Sequence, residues 1–511
     1  MEEKTQKKQL NQQQVQKIID EFLEQIFSSY KHEEVKNTKV IHDSVHGTNI
    51  FQPYEVAFLD LPIIQRLRRI SQTDVASYVF PAGNHNRFEH TVGVTVVVGQ
   101  MVNAIFDKYD NYKDNILEQH KIKREYVFRN CRIAAILHDC GHGPFSHLSE
   151  QIYSSEFNDI KNNNPIFNGA SAHEIISYFI ATSKPLREFN EKIIKKIYNI
   201  DIDLDFVGQM IVGYIDKKDK KNLGFAIELI NGAFDADKLD YILRDSHSTG
   251  VPLAVDLARL MYTLDIIVDI EGVLRLAVDI SGVAALEEII FNKMMLRTTI
   301  YNQQKVRAAG CMLKEIINKS GKFNNMIDYI QYTDDWILNL DSKDLTDSTI
   351  TKQLNMFKNR LLPKRAFCFS SRTLDTVEKQ KDMMVKFEDE EFKTNIIANI
   401  AYYIKNNLNK EVKESEIWID SPQNPKFKEA IQCLIKCEGA LNNYIILREV
   451  FPIDDWVRAF SENKWQGFIY TMSENCKEVA IASKCILEEI FEVKFNEFAT
   501  KLCKIEFEQE A

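Results

Sequence analysis

Apolar residues recur at helical spacing along most of this chain, and the departures from that rhythm mark where other structure is expected. In the polar, Gln- and Lys-rich first 36 residues, Ile18, Phe22, Ile26 and Phe27 keep the spacing. They predict a short amphipathic helix that either packs on the body or joins subunits. From Lys39 the pattern shortens: Val40, Ile41, Val45 and Ile50 flank His46-Gly47 and predict a β-hairpin. Pro62 opens a helix whose apolar face holds Leu67 and Ile70. Residues 87 to about 263 read as helical, interrupted by the charged stretch 107–125 and an Asn-rich loop at 158–169. β-branched residues then gather about Glu271-Gly272, a second hairpin within 266–278, and helices resume over 284–319. Beyond about 325, polar loops mix with strand-like runs at 366–369 and 416–419 and with late amphipathic helices. The expected fold is mainly α, with small β-hairpins and a C-terminal α+β lobe. Its parts are a helical extension at 1–36, a main helical domain at 37–320 and a mixed, mostly helical lobe at 321–511.

Composition narrows the function classes. At 511 residues the chain exceeds what one simple core accommodates. A net charge of −10 does not draw nucleic acid or polyphosphate, so any bound anion must be held by local Arg, Lys or a metal. No basic stretch is interleaved with aromatics, and a nucleic-acid partner is not expected. Nine cysteines lie scattered without a Cys-x-x-Cys pair, and Cys433 and Cys437 have no second pair to complete a zinc site. Reduced thiols are the expectation. Residues 1–16 lack the apolar core of a signal peptide, and no apolar run approaches the ~18 residues that span a bilayer. A cytoplasmic location with no membrane partner is expected.

The chemistry concentrates in one region. Seven of the eleven histidines (85, 90, 120, 138, 142, 147 and 173) fall in one 89-residue window. The apolar run Ala134-Ala135-Ile136-Leu137 leads into His138-Asp139-Cys140-Gly141-His142-Gly143-Pro144-Phe145-Ser146-His147. Carboxylates are rarely buried unless paired or bound to metal, and His is the commonest metal ligand. Arg87 and His90, three apart, share a helix face, as do Asp237, Tyr241, Arg244 and Asp245. Taken singly, any of these histidines fits a hydrogen-bonded core residue, and Asp237 fits a solvated carboxylate. Taken together they fit a metal site.

On these motifs the chain resembles the HD-domain phosphohydrolases, in particular their dNTP triphosphohydrolase branch. The resemblance rests on 39–47, 65–72, 79–90, 138–147 and 235–245, and covers about residues 39–310. It implies a helical HD-domain core and a divalent ion held by His90, His138, Asp139 and Asp237. Two imidazoles and two carboxylates suit Fe, Mn, Ni or Zn, and Mg can accompany the nucleotide. The resemblance further implies that His142 and His173 are acid/base or phosphate-contacting histidines. Glu150 would be their acidic partner, and His147 would lie at the α-phosphate or the leaving oxygen. Arg87 and Lys238 would hold the triphosphate, while Tyr241, Asp245 and Gln72 would face the sugar. The family's usual Gln-Leu-Gly is Gln72-Thr73-Asp74 here, which leaves sugar selection open. A regulatory nucleotide site between subunits is implied by Lys39, Val40, Asp60, Gln65 and Arg68, and with it a homodimer or homotetramer.

The leading expectation is a metal-dependent (deoxy)nucleoside triphosphate triphosphohydrolase, dGTPase-like. It would release intact triphosphate and a nucleoside, and nucleotide would activate it. Two alternatives stand beside it: an HD-type phosphodiesterase or phosphomonoesterase acting on another nucleotide, and a catalytically silent nucleotide sensor.

Overall fold

A computed structural model describes residues 11–112, 115–218, 220–374, 376–422, 433–440 and 442–501. The described residues fall into two compact units, one drawn from 1–296, 322–337 and 428–451, the other from 297–321, 338–427 and 452–511.

In the first unit, α1 (Gln12–Ser29) starts at a reciprocal cap in which Asn11 and Gln14 each accept the other's backbone N–H. Its fully buried stripe is Val15, Ile19 and Leu23, whereas Ile18, Phe22, Ile26 and Phe27 are half-buried beside it. The Gln16 amide donates to the Phe179 carbonyl at 3.2 Å, so this helix packs on the body of its own unit. The first hairpin forms from β1 (Lys39–Asp43) and β2 (Gly47–Phe51), turning at Gly47, whose φ is +70°.

Helix α2 (Arg87–Tyr109) is the central element. Val92, Val94, Val96, Val97 and Val98 are all buried, and a helix apolar on every side belongs in a core. Against it packs α3 (Arg124–Leu137), whose last five residues, Ile133 to Leu137, have no exposed surface. The helices α4 (His147–Tyr153), α5 (Ala172–Ala181) and α6 (Ala236–Thr249) carry most of the remaining candidate site residues. The Asn-rich stretch is not simply a loop. Asn158–Asn163 is helical and Pro165–Phe167 is a 3-10 turn, because Ile160 and Phe167 are buried and pin it down. The second hairpin is β3 (Leu264–Val268) and β4 (Leu274–Asp279). Strand Leu434–Lys436, distant in sequence, adds parallel to β4, and Tyr444–Ile446 completes a four-stranded sheet.

The second unit is built on a three-stranded antiparallel sheet with Gly467–Thr471 between Lys364–Phe369 and Ile417–Asp420. Phe367, Phe369 and Ile469 of that sheet join one apolar core with Ile396 and Ile400 of the helix Glu390–Asn407 and Leu487 of Cys476–Phe491. The chain is thus mainly α with small sheets. Among the described residues no disulfide forms, and no helix is long and apolar enough to cross a membrane.

Candidate metal centre and active site

Most of the functional side chains sit at helix ends, and local sequence fixes where those ends fall. The Asn86 side chain accepts the Glu89 N–H and starts α2 one residue before Arg87 and four before His90. Asp235 accepts the Lys238 N–H at 2.8 Å and starts α6 just before Asp237. Ser171 and Glu174 form a capping box that starts α5 just before His173. His138 caps the C-terminal end of α3, and Asp139 follows it.

These ends bring four donor groups together. His90 Nε2 is 2.9 Å from Asp237 Oδ1 and 3.7 Å from Asp139 Oδ2. His138 Nε2 is 3.4 Å from Asp139 Oδ1 and 4.0 Å from Asp237 Oδ1. Donors about 2.1 Å from an ion stand about 3.0 Å apart when adjacent at right angles and about 4.2 Å when opposite, so His90, His138 and Asp237 are spaced for one shared cation, while Asp139 faces the two imidazoles through different oxygens. The protonation pattern agrees. His138 Nδ1 lies 2.6 Å from the Ala135 carbonyl, which can only accept, so Nδ1 carries the proton and Nε2 presents its lone pair. That Nε2 is buried without a hydrogen-bond partner, as a ligand atom would be. His90 is oriented by Asp240, whose Oδ2 takes Nδ1–H at 2.7 Å, the carboxylate–histidine pairing common behind metal sites. Burial opposes charge on His90, yet Asp237 and Asp240 overcome it and lift the imidazole to about 10, so a cation binding at Nε2 must displace a proton there. Asp139 is likewise opposed by burial, but Arg87, His138 and His142 hold it well below the ordinary carboxylate range.

Behind the donors lies a network that sequence reasoning did not assemble. Asp240 has no exposed surface and binds His90, His46 Nε2 at 2.6 Å, and Arg244 through Nε at 2.8 Å. Arg244 also lies 2.9 Å from Asp43. The close approach of α2 and α6 needs Gly93, where a Cβ would stand 1.9 Å from Asp240 Oδ1. The signal available was His46 within the 39–47 motif and Asp240 three residues beyond Asp237; only the tertiary fold joins them. Arg244, grouped by spacing with Asp237 and Tyr241, is instead a fully buried strut.

Next to the donors stands a second cluster. His142 Nε2 is 3.4 Å from Asp139 Oδ1, and its ring stacks on His173 with centroids 3.7 Å apart. Glu150 accepts from the His173 backbone N–H at 3.1 Å and lies 3.0 Å from both His173 Nδ1 and His147 Nδ1. Burial, Arg87 and His173 push His142 well below the usual imidazole range. Burial acts against charge on His173 too, but Glu150 prevails and raises it to about 9. Two stacked imidazoles thus prefer opposite protonation states, the pattern of an acid and a base.

Around these groups, Arg87 is buried and donates to Asp139 Oδ2 at 2.5 Å and to Ser146 Oγ at 2.6 Å. Lys238 donates to Asp235 at 2.5 Å and to the Gly232 carbonyl at 2.8 Å, at the start of its own helix. Tyr241 is half-buried one turn beyond Asp237, and burial raises its phenol. Asp245 is buried and lies 2.7 Å from His85 Nε2. Gln72 keeps a buried side-chain oxygen without a hydrogen-bond partner, whereas the Thr73 hydroxyl is buried and turned to the Gly83 carbonyl at 3.3 Å. On another face Lys39 Nζ is 3.8 Å from Asp60, Arg68 Nε donates to Gln65 at 2.8 Å, and the Arg68 guanidinium lies 3.7 Å above the Phe88 ring. Val40 and Ile50, paired across the hairpin, are 65% and 61% exposed.

The HD domain family profile matches residues 87–202, and that of the HD associated region matches 255–497. The deoxynucleoside triphosphate triphosphohydrolase SAMHD1 homolog of Dictyostelium discoideum is 30% identical over 234 residues, 46% of this chain and 41% of the relative. Human SAMHD1, of the same printed activity, is 28% identical over 242 residues, 44% of this chain and 36% of the relative. The protein MJ1154 of Methanocaldococcus jannaschii, of no stated activity, is 25% identical over 453 residues, 86% and 81% of the two chains. The chain thus spans about two fifths of the length of the two triphosphohydrolases. Residues 87–202 thus carry an HD domain, and the chain is similar over less than half its length to the deoxynucleoside triphosphate triphosphohydrolases.

Proposed function

We propose that this chain is a metal-dependent deoxynucleoside triphosphate triphosphohydrolase that cleaves at the α-phosphate and releases a nucleoside and inorganic triphosphate. The observation that carries the reading is the placement of a His/His/Asp/Asp donor set beside an imidazole pair of opposed protonation preference. The activity printed for the relatives supports the substrate class.

His90, His138, Asp139 and Asp237 would hold the cation. A divalent ion there would polarise a phosphoryl oxygen and acidify a water. Phosphoryl transfer otherwise needs positioning and charge neutralisation. Arg87, fixed between Asp139 and Ser146, supplies fixed positive charge beside that water's target. Neutral His142 accepts the proton of the attacking water at a ring nitrogen; both are buried without hydrogen-bond partners. His173, kept protonated by Glu150, opposes charge on the stacked His142 and so keeps it neutral and ready to accept that proton. His147, whose side chain is 59% exposed, would give a proton to the 5′-oxygen as the bond to phosphorus breaks. Lys238 must exchange its Asp235 contact for phosphate to join the clamp. Regulation by nucleotide at a subunit interface is supported by the exposed Lys39–Asp60 and Gln65–Arg68 pairs beside the apolar Val40 and Ile50.

The direct test is incubation of Mn- or Fe-loaded protein with each dNTP and NTP, alone and in pairs, with products separated by ion-exchange chromatography. Triphosphate and nucleoside are expected; monophosphate and pyrophosphate alone would refute the reading. A pH profile tests the acid/base pair. A raised pKa keeps His173 protonated up to about pH 9, and the charge is lost above it. Glu150→Gln removes the raising cause, so the alkaline limb of kcat/KM should move to lower pH by roughly two units. An unmoved limb would remove His173 from the mechanism.

A further inference from the structure

The turn between the His-Asp pair and α4 is conformationally unusual. Phe145 and Ser146 both have φ in the left-handed region, at +53° and +52°, and neither is glycine. Such a turn persists only where its surroundings over-determine it. The surroundings here include a segment nearly two hundred residues downstream. Asp334 Oδ1 accepts the Phe145 N–H at 2.6 Å, while Oδ2 accepts the Ser71 N–H at 2.8 Å and the Ser71 hydroxyl at 2.6 Å. The Ser71 carbonyl accepts the Ser146 hydroxyl, and the Ser146 oxygen accepts Arg87 Nε–H at 2.6 Å. Every link has a fixed direction, because a guanidinium only donates and a carboxylate or carbonyl only accepts. Arg66 adds a second strut between the same partners, donating to the carbonyls of His142 at 2.7 Å, Tyr329 at 2.8 Å and Tyr332 at 3.2 Å.

We propose that Asp334 is a positioning residue for the phosphate-binding arginine: it clamps Ser71 and the Phe145–Ser146 turn so that Ser146 holds the Arg87 guanidinium against Asp139. The assignment rests on reading Arg87 as a phosphate ligand, as above. Asp334 is 6% exposed, and burial lifts its carboxyl to about 6 even with three donors around it. It touches no donor of the candidate metal centre, so its effect on anion binding passes through the two serines.

The test uses the full-length, metal-loaded protein and inorganic triphosphate as probe, with affinity measured by calorimetry and metal content by mass spectrometry. Asp334→Asn keeps the shape but turns one acceptor into a donor. Ser146→Ala removes the link to Arg87. Each is expected to weaken triphosphate binding about tenfold at unchanged metal content, the usual scale for a residue that orients a ligand-binding group. The double variant is expected to match either single variant, because the two lie on one path. Losses that multiply to about a hundredfold would overturn the proposal, as would wild-type affinity in Asp334→Asn or loss of the metal. If Asp334→Asn does not fold, Ser71→Ala, which removes one of the carboxylate's donors, takes its place against Ser146→Ala. Failure of the wild type to hydrolyse any dNTP would refute the function reading, while triphosphate binding still decides the role of Asp334.

Discussion

Asp139→Ala is expected to lose turnover by about a thousandfold or more and to lose the cation with it, because one donor and the partner of a fixed charge go together. Asp139 faces His90 at 3.7 Å, His138 and His142 at 3.4 Å each, and Arg87 at 2.5 Å. Taking it away leaves Arg87, 3% exposed, with Ser146 as its remaining side-chain partner. A buried charge stripped of its counter-ion is destabilising, so thermal unfolding must be followed alongside activity. Asp139→Asn separates the two effects, since it keeps volume and one acceptor but weakens the electrostatic hold. Metal content after gel filtration and triphosphate release are the two readouts. Near-normal values of both in Asp139→Ala would end the metal assignment.

The largest loss of stability should come from Asp240→Ala, a residue that makes no contact with substrate in the proposed reading. Its carboxylate has no exposed surface and answers His46, His90 and Arg244 at once. Removing one member of a buried ionic group costs about 3–5 kcal/mol. For a unit of this size that corresponds to a fall in Tm of roughly 4–7 °C. Because Asp240 also fixes the His90 ring, affinity for the cation should fall about 10–100-fold even where the protein still folds. Calorimetric unfolding with and without added Mn measures both. A variant with unchanged Tm and unchanged metal affinity would show that the network is dispensable. Asp240→Asn should lie between, as one oxygen still accepts.

Periodicity and turn chemistry made much of this fold legible. The hairpins about Gly47 and Gly272, the all-round apolar α2 and the helix that runs into His138-Asp139 all follow from local pattern. The Asn-rich segment did not, because two buried side chains, Ile160 and Phe167, outweighed its composition. The N-terminal helix was legible in kind, but its buried stripe runs through Val15, Ile19 and Leu23, which only docking could decide. At the candidate site, residue types and spacing named donors and imidazoles. They could not show that Arg244 points into the core, that Lys238 is engaged by Asp235, or that Asp240 ties three elements together. Those are properties of distant neighbours, and a lone Asp at 240 or 334 carries no pattern to read.

The donor side chains come from positions 90, 138–139 and 237, each set at its own helix end. A chain emerging from the ribosome therefore has no complete cation trap until the helix beginning at Ala236 has been released and has docked. The arginine beside that trap gains its last support only when Asp334 arrives. Any fragment that ends before Ala236 would therefore lack the Asp237 donor of the candidate site, whatever else of the fold it had completed.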